Sequence, residues 1–157
     1  MKFKPKLVLT DIDGVWTDGG MYYDETGNEW KKFSTYDAAG VKLCKKFNIP
    51  VGIITGENTE IVKRRAKKLC IDYLYQGAKN KVEIANTLCE KLNISIKDVA
   101  YIGDDTNDID LLKVVGFSGA PANATKQVKS FTNIITKKAG GNGAFREFVE
   151  TIFNIDN

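Results

Sequence analysis

The stretch LVLTDIDGVWTDGG, residues 7–20, decides how this chain is read. A short apolar run, Leu7 to Thr10, reads as a buried β-strand, and Asp11, Asp13 and Asp18 follow it at once. Clustered carboxylates repel one another: at about 4 Å and an effective dielectric near 20, each like-charge pair costs roughly 4 kcal/mol. A cation is therefore expected at this loop, with Gly14 supplying a turn. A calcium loop of the DxDxDG kind does not fit, since its fifth and twelfth positions would be Val15 and Tyr22, neither of which carries a carboxylate.

Outward from this loop, short β-rich runs alternate with helical stretches, the pattern of a parallel sheet with crossover helices. The expected strands are Leu7 to Thr10, Val51 to Thr55, Tyr73 to Tyr75, Val99 to Ile102, Gly116 to Gly119 and Asn133 to Ile135. Ala85, Leu88, Cys89 and Leu92 recur at helical spacing and predict a helix within residues 80–92. SIKD, residues 95–98, reads as a capping turn. A helix from about Asn58 to Leu69 presents Ile61, Val62, Ala66 and Leu69 as its apolar stripe, with Arg65 projecting into it. MYYDETGNEWKKF, residues 21–33, breaks the rhythm and reads as a hairpin beside the acidic loop. The expected fold is α/β, a Rossmann-like parallel sheet with helices on both faces and a hairpin flap after the first strand. One domain is expected over residues 1–157, with the flap at about 15–33 and a tail at about 137–157.

Composition excludes several functions. The chain has 157 residues, 43% of them hydrophobic, which suits one core. Twenty-three Lys plus Arg face twenty Asp plus Glu, and no long basic run is interleaved with aromatics, so neither nucleic acid nor membrane is the expected partner. The basic cluster KRRAKK, residues 63–68, stands alone. No apolar run approaches the roughly 20 residues of a membrane helix, and a soluble cytoplasmic protein is expected. Cys44, Cys70 and Cys89 are far apart and read as buried thiols. Histidine is absent, so acid–base chemistry falls to carboxylates or lysine.

Open α/β sheets bind ligands at the carboxyl ends of their strands, and the informative polar residues fall there. Asp11 and Asp13 follow the first strand, Thr55 and Gly56 the second, Lys81 the third, and GDDTND, residues 103–108, the fourth. Asp11, Asp13 and Asp104 form an oxygen-rich set suited to Mg²⁺ where a phosphate completes the shell. Once the charge is neutralised, Asp11 is the expected nucleophile on phosphorus. Asp13 is expected to protonate the departing oxygen and later take a proton from the attacking water. Thr55 and the Gly56 amide bind phosphoryl oxygens while Lys81 balances developing charge. Asp105, Asn107 and Asp108 are expected to orient Lys81 or metal-bound water.

DIDGVWTDG, ITGE, QGAKNK and GDDTND together resemble the four motifs of the haloacid dehalogenase superfamily of phosphotransferases. The resemblance covers nearly the whole chain and implies Asp11 as nucleophile, Asp13 as acid/base with its carbonyl on Mg²⁺, and Thr55, Lys81 and Asp104 in their motif roles. An acid at position 13 is similar to the phosphatases and mutases, not to P-type ATPases. Many relatives carry an inserted cap domain, but Thr55 follows Asp11 by 44 residues, Lys81 follows Thr55 by 26 and Asp104 follows Lys81 by 23. Those gaps hold only the hairpin and helices already assigned, so no cap is expected. GVWTDGG and the tail GGNGAFRE are most similar to small capless phosphatases of 3-deoxy-2-ulosonic acid phosphates.

An uncapped site needs either a large substrate or another subunit to exclude water. The flap, counted with Trp16, Met21, Tyr22, Tyr23 and Trp30, is rich in interface-type residues. The resemblance implies a homotetramer whose tails reach neighbouring sites, placing Gly140, Gly141 and Arg146 near the bound small-molecule sugar-acid phosphate. Where eight-carbon enzymes typically carry arginine after ThrGly, this chain has Glu57. Arg65 and Lys68 are expected to pair the substrate carboxylate, with Glu57 orienting them or accepting from a hydroxyl, and this set resembles the branch that handles nine-carbon, sialic-type acid 9-phosphates. The alternative is 3-deoxy-D-manno-octulosonate 8-phosphate. A receiver-like signalling domain shares acids, Thr and Lys around Mg²⁺, but no acceptor stands near Tyr75. A non-catalytic sugar-phosphate binder would not need Asp13.

Overall fold

A computed structural model describes residues 3–155; the ends of the single-domain expectation, residues 1–2 and 156–157, lie outside the described residues. Six parallel strands form one sheet in the order β5-β4-β1-β6-β7-β8. They are β1 Leu7–Thr10, β4 Val51–Ile54, β5 Tyr73–Tyr75, β6 Val99–Ile102, β7 Phe117–Ala120 and β8 Ile134–Ile135. Helices α1 Thr35–Lys46, α2 Glu60–Leu69, α3 Lys81–Leu92, α4 Ile109–Val114, α5 Lys126–Lys129 and α6 Ala144–Phe153 complete the core, and no cap domain is inserted among the described residues.

β1 shows why the sheet is buried on both faces. Val8 joins the core under α1, α2 and α6, whereas Leu7 and Leu9 join the core under α3, α4 and α5. Successive side chains point to opposite faces, so an unbroken apolar strand needs helices on both sides. From β1 the chain steps outward through β4 and β5, then returns to β6 and continues through β7 and β8. The reversal lies between β1 and β6, where such sheets open a crevice beyond the strand ends. Register aligns Thr10 with both Ile53 and Ile102, which brings the loops beginning at Asp11, Thr55 and Gly103 together.

Local chemistry sets the helix starts. Ser34, Thr59 and Asn80 each accept a hydrogen bond from a first-turn amide of α1, α2 and α3. The Thr59 cap starts α2 at Glu60, two residues later than expected. Ser95 and Asp98 form a reciprocal capping box, as the SIKD pattern implies. β7 starts and ends one residue later than expected; the Gly116 amide just before it donates to Val99 O at the start of β6. α1, α4 and α5 were not anticipated from periodicity.

The flap is smaller than the sequence suggests. Only Tyr22–Tyr23 (β2) and Glu29–Trp30 (β3) pair, antiparallel, around a turn organised by Asp24, which accepts from the Thr26 and Asn28 amides at 2.9 and 3.0 Å. Residues 15–17 are not flap at all: the amides of Val15, Trp16 and Thr17 donate back to Ile12 O. This corrects the place of Trp16, which is core. Its indole donates to Thr10 Oγ1 at 3.0 Å and its ring lies 5.0 Å from that of Phe145. Cys70 also departs from expectation, since it is exposed in left-handed conformation at the end of α2, while Cys44 and Cys89 are buried.

Candidate active site

Asp11 leaves β1 with its amide bonded to Ile102 O, and the residue is 5% exposed. Oδ1 accepts from the Ile12 amide at 2.7 Å and Oδ2 lies 3.0 Å from Lys81 Nζ. Lys81 is the first residue of α3, so its stem runs from the helix start into the crevice and is buried. Asp104 comes from the loop after β6. Carboxylate oxygens of Asp11, Asp104 and Asp108 all lie within 4.8 Å of one another.

These three acids have different duties. Asp108 is fully buried, and its Oδ1 takes Lys81 Nζ at 2.6 Å together with the Tyr101 hydroxyl. Its Oδ2 accepts from the amides of Asp104 and Asp105 at 2.9 and 3.1 Å. With both oxygens engaged, Asp108 is a brace for Lys81 and the Asp104 loop, and Asp11 and Asp104 face the cavity. Burial, then the Asp108 charge, raises the Asp11 carboxyl to about 7 despite Lys81 beside it. Burial, then Asp11, raises Asp104 to about 8. Two carboxyls, one buried and one partly buried, that resist ionising together are a fit for a hard divalent cation with oxygen ligands, and Mg²⁺ meets that description.

Protons and the cation compete for the same oxygens. Both carboxyls are raised above the ordinary value of 3.8, so protonation favours the ion-free fold, and that stability is lost as pH rises through about 7 and 8. Added Mg²⁺ is therefore expected to raise the melting temperature more at pH 8 than at pH 6, read by thermal denaturation. An equal or smaller rise at pH 8 would contradict this account of the acidic pair.

Gly14 is confined by the same carboxylate. Its φ is +82°, and a Cβ there would sit 1.9 Å from Asp104 Oδ2. Gly14→Ala is expected to push Asp104 away and raise the Mg²⁺ concentration for half-maximal turnover by about tenfold, measured by metal titration.

An open cavity of about 270 Å³ lies over these groups. Asp11, Asp13, Gly14, Thr55, Gly56, Glu57, Asp104, Asp105 and Asn107 line it, with Gly19 and Met21 from the flap side. Thr55 is buried at its floor, its amide donating to Tyr75 O at 3.0 Å. Asp105 caps the short turn Thr106–Asp108 through the Thr106 amide.

Asp13 does not join the acidic trio; its carboxylate faces the flap. Lys31 Nζ reaches both of its oxygens, at 2.8 and 3.0 Å, and also Glu57 Oε2 at 2.8 Å. This corrects the expectation that Glu57 would orient Arg65 and Lys68. Arg65 instead donates to Ser34 O at 2.8 Å and lies over the Phe33 ring, and Lys68 is exposed. Arg146 is likewise outside the cavity, its Nε donating to Glu150 at 2.6 Å and its amide to Asp37 Oδ1 at 3.2 Å.

The tail glycines support the acidic loop of their own chain. The Gly140 amide donates to Asn123 Oδ1 at 2.6 Å, and Asn123 Nδ2 donates to Gly14 O at 3.1 Å. A Cβ on Gly140 would sit 1.9 Å from Gly14 O, so only glycine lets the tail approach so closely. The Gly141 amide donates to Val15 O. Lys31, Tyr101, Asn123 and Thr17, which donates to Asp13 Oδ1 at 3.2 Å, escaped the sequence reading. Only Lys31 carried a signal, the alternation of the flap strand that turns Trp30 outward.

The haloacid dehalogenase-like hydrolase family model matches residues 54–148. The chain is 38% identical over 147 residues to the 3-deoxy-D-manno-octulosonate 8-phosphate phosphatase KdsC of Escherichia coli (strain K12), covering 94% of this chain and 78% of that protein. Among solved structures, that of 3-deoxy-D-manno-octulosonate 8-phosphate phosphatase from Moraxella catarrhalis, in complex with magnesium ion, phosphate ion and KDO, superposes with a TM-score of 0.92 at 38% identity. It covers 96% of this chain and 86% of that one. The Yersinia pestis enzyme of the same name superposes with a TM-score of 0.92 at 35% identity, covering 96% and 81%.

Proposed function

The chain belongs to the haloacid dehalogenase-like hydrolases and is a Mg²⁺-dependent phosphatase, and from that premise we propose that it hydrolyses the phosphomonoester of an eight-carbon 3-deoxy-2-ulosonic acid through Asp11. The observation that carries this reading is the buried Asp11 carboxylate, 3.0 Å from Lys81, on the wall of a cavity that Asp13 and Asp104 also line.

Asp11 attacks phosphorus while the ester oxygen departs, and Asp13 donates a proton to that oxygen. A water then attacks the aspartyl phosphate, Asp13 takes its proton, and inorganic phosphate leaves with Asp11 restored. Thr55 Oγ1 and the Gly56 amide hold phosphoryl oxygens, and Lys81, braced by Asp108, balances the charge that develops on them. Mg²⁺, held by Asp11 and Asp104, supplies the positive charge that lets a phosphate dianion approach two carboxylates.

The choice of an eight-carbon substrate follows the relatives, whose names specify an octulosonate 8-phosphate. It replaces the nine-carbon choice, whose main support was Glu57. A nine-carbon substrate stays as a second reading because Glu57 places a carboxylate on the cavity wall. Steady-state phosphate release from eight- and nine-carbon ulosonic acid phosphates decides between them. The proposal expects a higher kcat/KM for the eight-carbon ester, and the reverse order rejects it. Turnover of neither above a simple alkyl phosphate rejects the substrate class.

A homotetramer completes this proposal. Met21, Tyr22, Tyr23 and Trp30 are 44, 42, 63 and 52% exposed on the flap, an apolar surface suited to a neighbouring subunit over the open cavity. In such an assembly Arg65, Lys68 and Arg146 act on a neighbour's substrate, since none lines the cavity of its own chain.

A further inference from the structure

We propose that Lys31, carried in by the flap, is a positioning residue that holds the Asp13 carboxylate where it exchanges a proton with the leaving oxygen; this rests on the acid/base reading of Asp13. The flap's outward face is Trp30, paired with Tyr22 and half exposed, so the next side chain turns inward. The Lys31 side chain is wholly buried. Its ammonium meets both Asp13 oxygens at 2.8 and 3.0 Å, Glu57 Oε2 at 2.8 Å and Glu29 Oε1 at 3.4 Å. Three carboxylates from three segments thus converge on one cation.

Asp13 has little else to orient it. Among the described residues its one other side-chain hydrogen bond comes from the Thr17 hydroxyl at 3.2 Å, and its own side chain is 26% exposed. Without the ammonium, Asp13 and Glu57 would repel and the Asp13 carboxylate would turn toward water. A misplacement of about 1 Å in a reacting group costs on the order of 100-fold in rate. Lys31 does not line the cavity. It therefore works through Asp13 and does not touch the substrate.

The test uses the dependence on leaving group. An alkoxide needs a proton as it departs, whereas 4-nitrophenolate leaves without one, so a displaced acid harms an alkyl phosphate far more than an aryl phosphate. kcat/KM reports the steps through enzyme phosphorylation, before the water attack common to both esters. Lys31→Met is expected to lose about 100-fold in kcat/KM on a sugar-acid or simple alkyl phosphate. Its loss on 4-nitrophenyl phosphate is expected to stay within about threefold, the same pattern as Asp13→Asn. Lys31→Gln, which keeps a polar group against Asp13 and Glu57, is the second variant if Lys31→Met does not fold, and the same selective loss is expected. Equal losses on both esters, or no loss, overturn the role of Lys31 while leaving Asp13 intact. If Asp13→Asn itself shows no selectivity, the acid/base reading fails and the role of Lys31 falls with it.

Discussion

Asp11→Asn is expected to lower phosphate release by at least about 1,000-fold while leaving the fold intact. Asparagine has the same shape, and its carbonyl oxygen still accepts from the Ile12 amide, which holds Asp11 Oδ1 at 2.7 Å. What disappears is the nucleophilic carboxylate together with its ion pair to Lys81, since the amide NH₂ takes the place of Oδ2, 3.0 Å from Lys81 Nζ. Lys81 keeps its bond of 2.6 Å to Asp108, so the buried ammonium is not left without a counter-charge. Burial and Asp108 raise the Asp11 carboxyl to about 7, so at higher pH its ionisation weighs against the ion-free fold. The neutral amide removes that cost. Without Mg²⁺, the variant is therefore expected to melt at or above the wild-type temperature at pH 8, and Mg²⁺ is expected to raise its melting point less. Loss of turnover with retained melting temperature separates a missing nucleophile from a broken fold. Phosphate release above about a tenth of wild type would remove Asp11 from its role.

Asp108→Ala is expected to be the most destabilising change at the site, by roughly 3–5 kcal/mol, because it breaks a buried pair and strands its partners. Three donors lose their acceptor, the Tyr101 hydroxyl and the amides of Asp104 and Asp105, and Lys81 Nζ loses its shorter carboxylate bond and keeps only Asp11 Oδ2 at 3.0 Å. For a domain of this size that corresponds to a melting temperature lower by about 10 °C. Turnover falls as well, since Lys81 and the Asp104 loop lose their common brace. Asp108→Asn is not a conservative change here. One oxygen faces Lys81 and Tyr101, the other faces two backbone amides, and whichever side receives the NH₂ group then opposes donors. A melting temperature within about 2 °C of wild type for the alanine variant would contradict this account of the network.

The two halves of the Asp108 network differ in how readable they were. Asp104 and Lys81 could be placed because each follows an apolar run, and parallel strands deliver their carboxyl ends to one edge whatever the rest of the chain does. The choice of Asp108 as the brace could not be read from GDDTND, which offers three acids at adjacent or near-adjacent positions. A tight turn over Thr106–Asp108 folds the third acid back beneath the first two, and only that turn separates the roles. Trp16 lies in the core and not in the flap for a related reason. The DGVWTDG loop turns back on Ile12 instead of entering the hairpin, so its aromatic ring goes to the core.

The sheet, the order of the acidic, hydroxyl and basic groups along its edge, and hence a phosphoryl-transfer site needing a divalent cation are legible in the residues alone. These follow from local rules, strand alternation and the geometry of crossover connections, which act over a few residues or are common to every open parallel sheet. Which group each of those residues touches is set by the folded arrangement. Lys31 reaches Asp13 and Glu57 across 18 and 26 residues, and Asn123 reaches Gly14 across 109. No periodicity spans such separations: these contacts arise when the flap and the tail settle against a loop already held in place by the sheet.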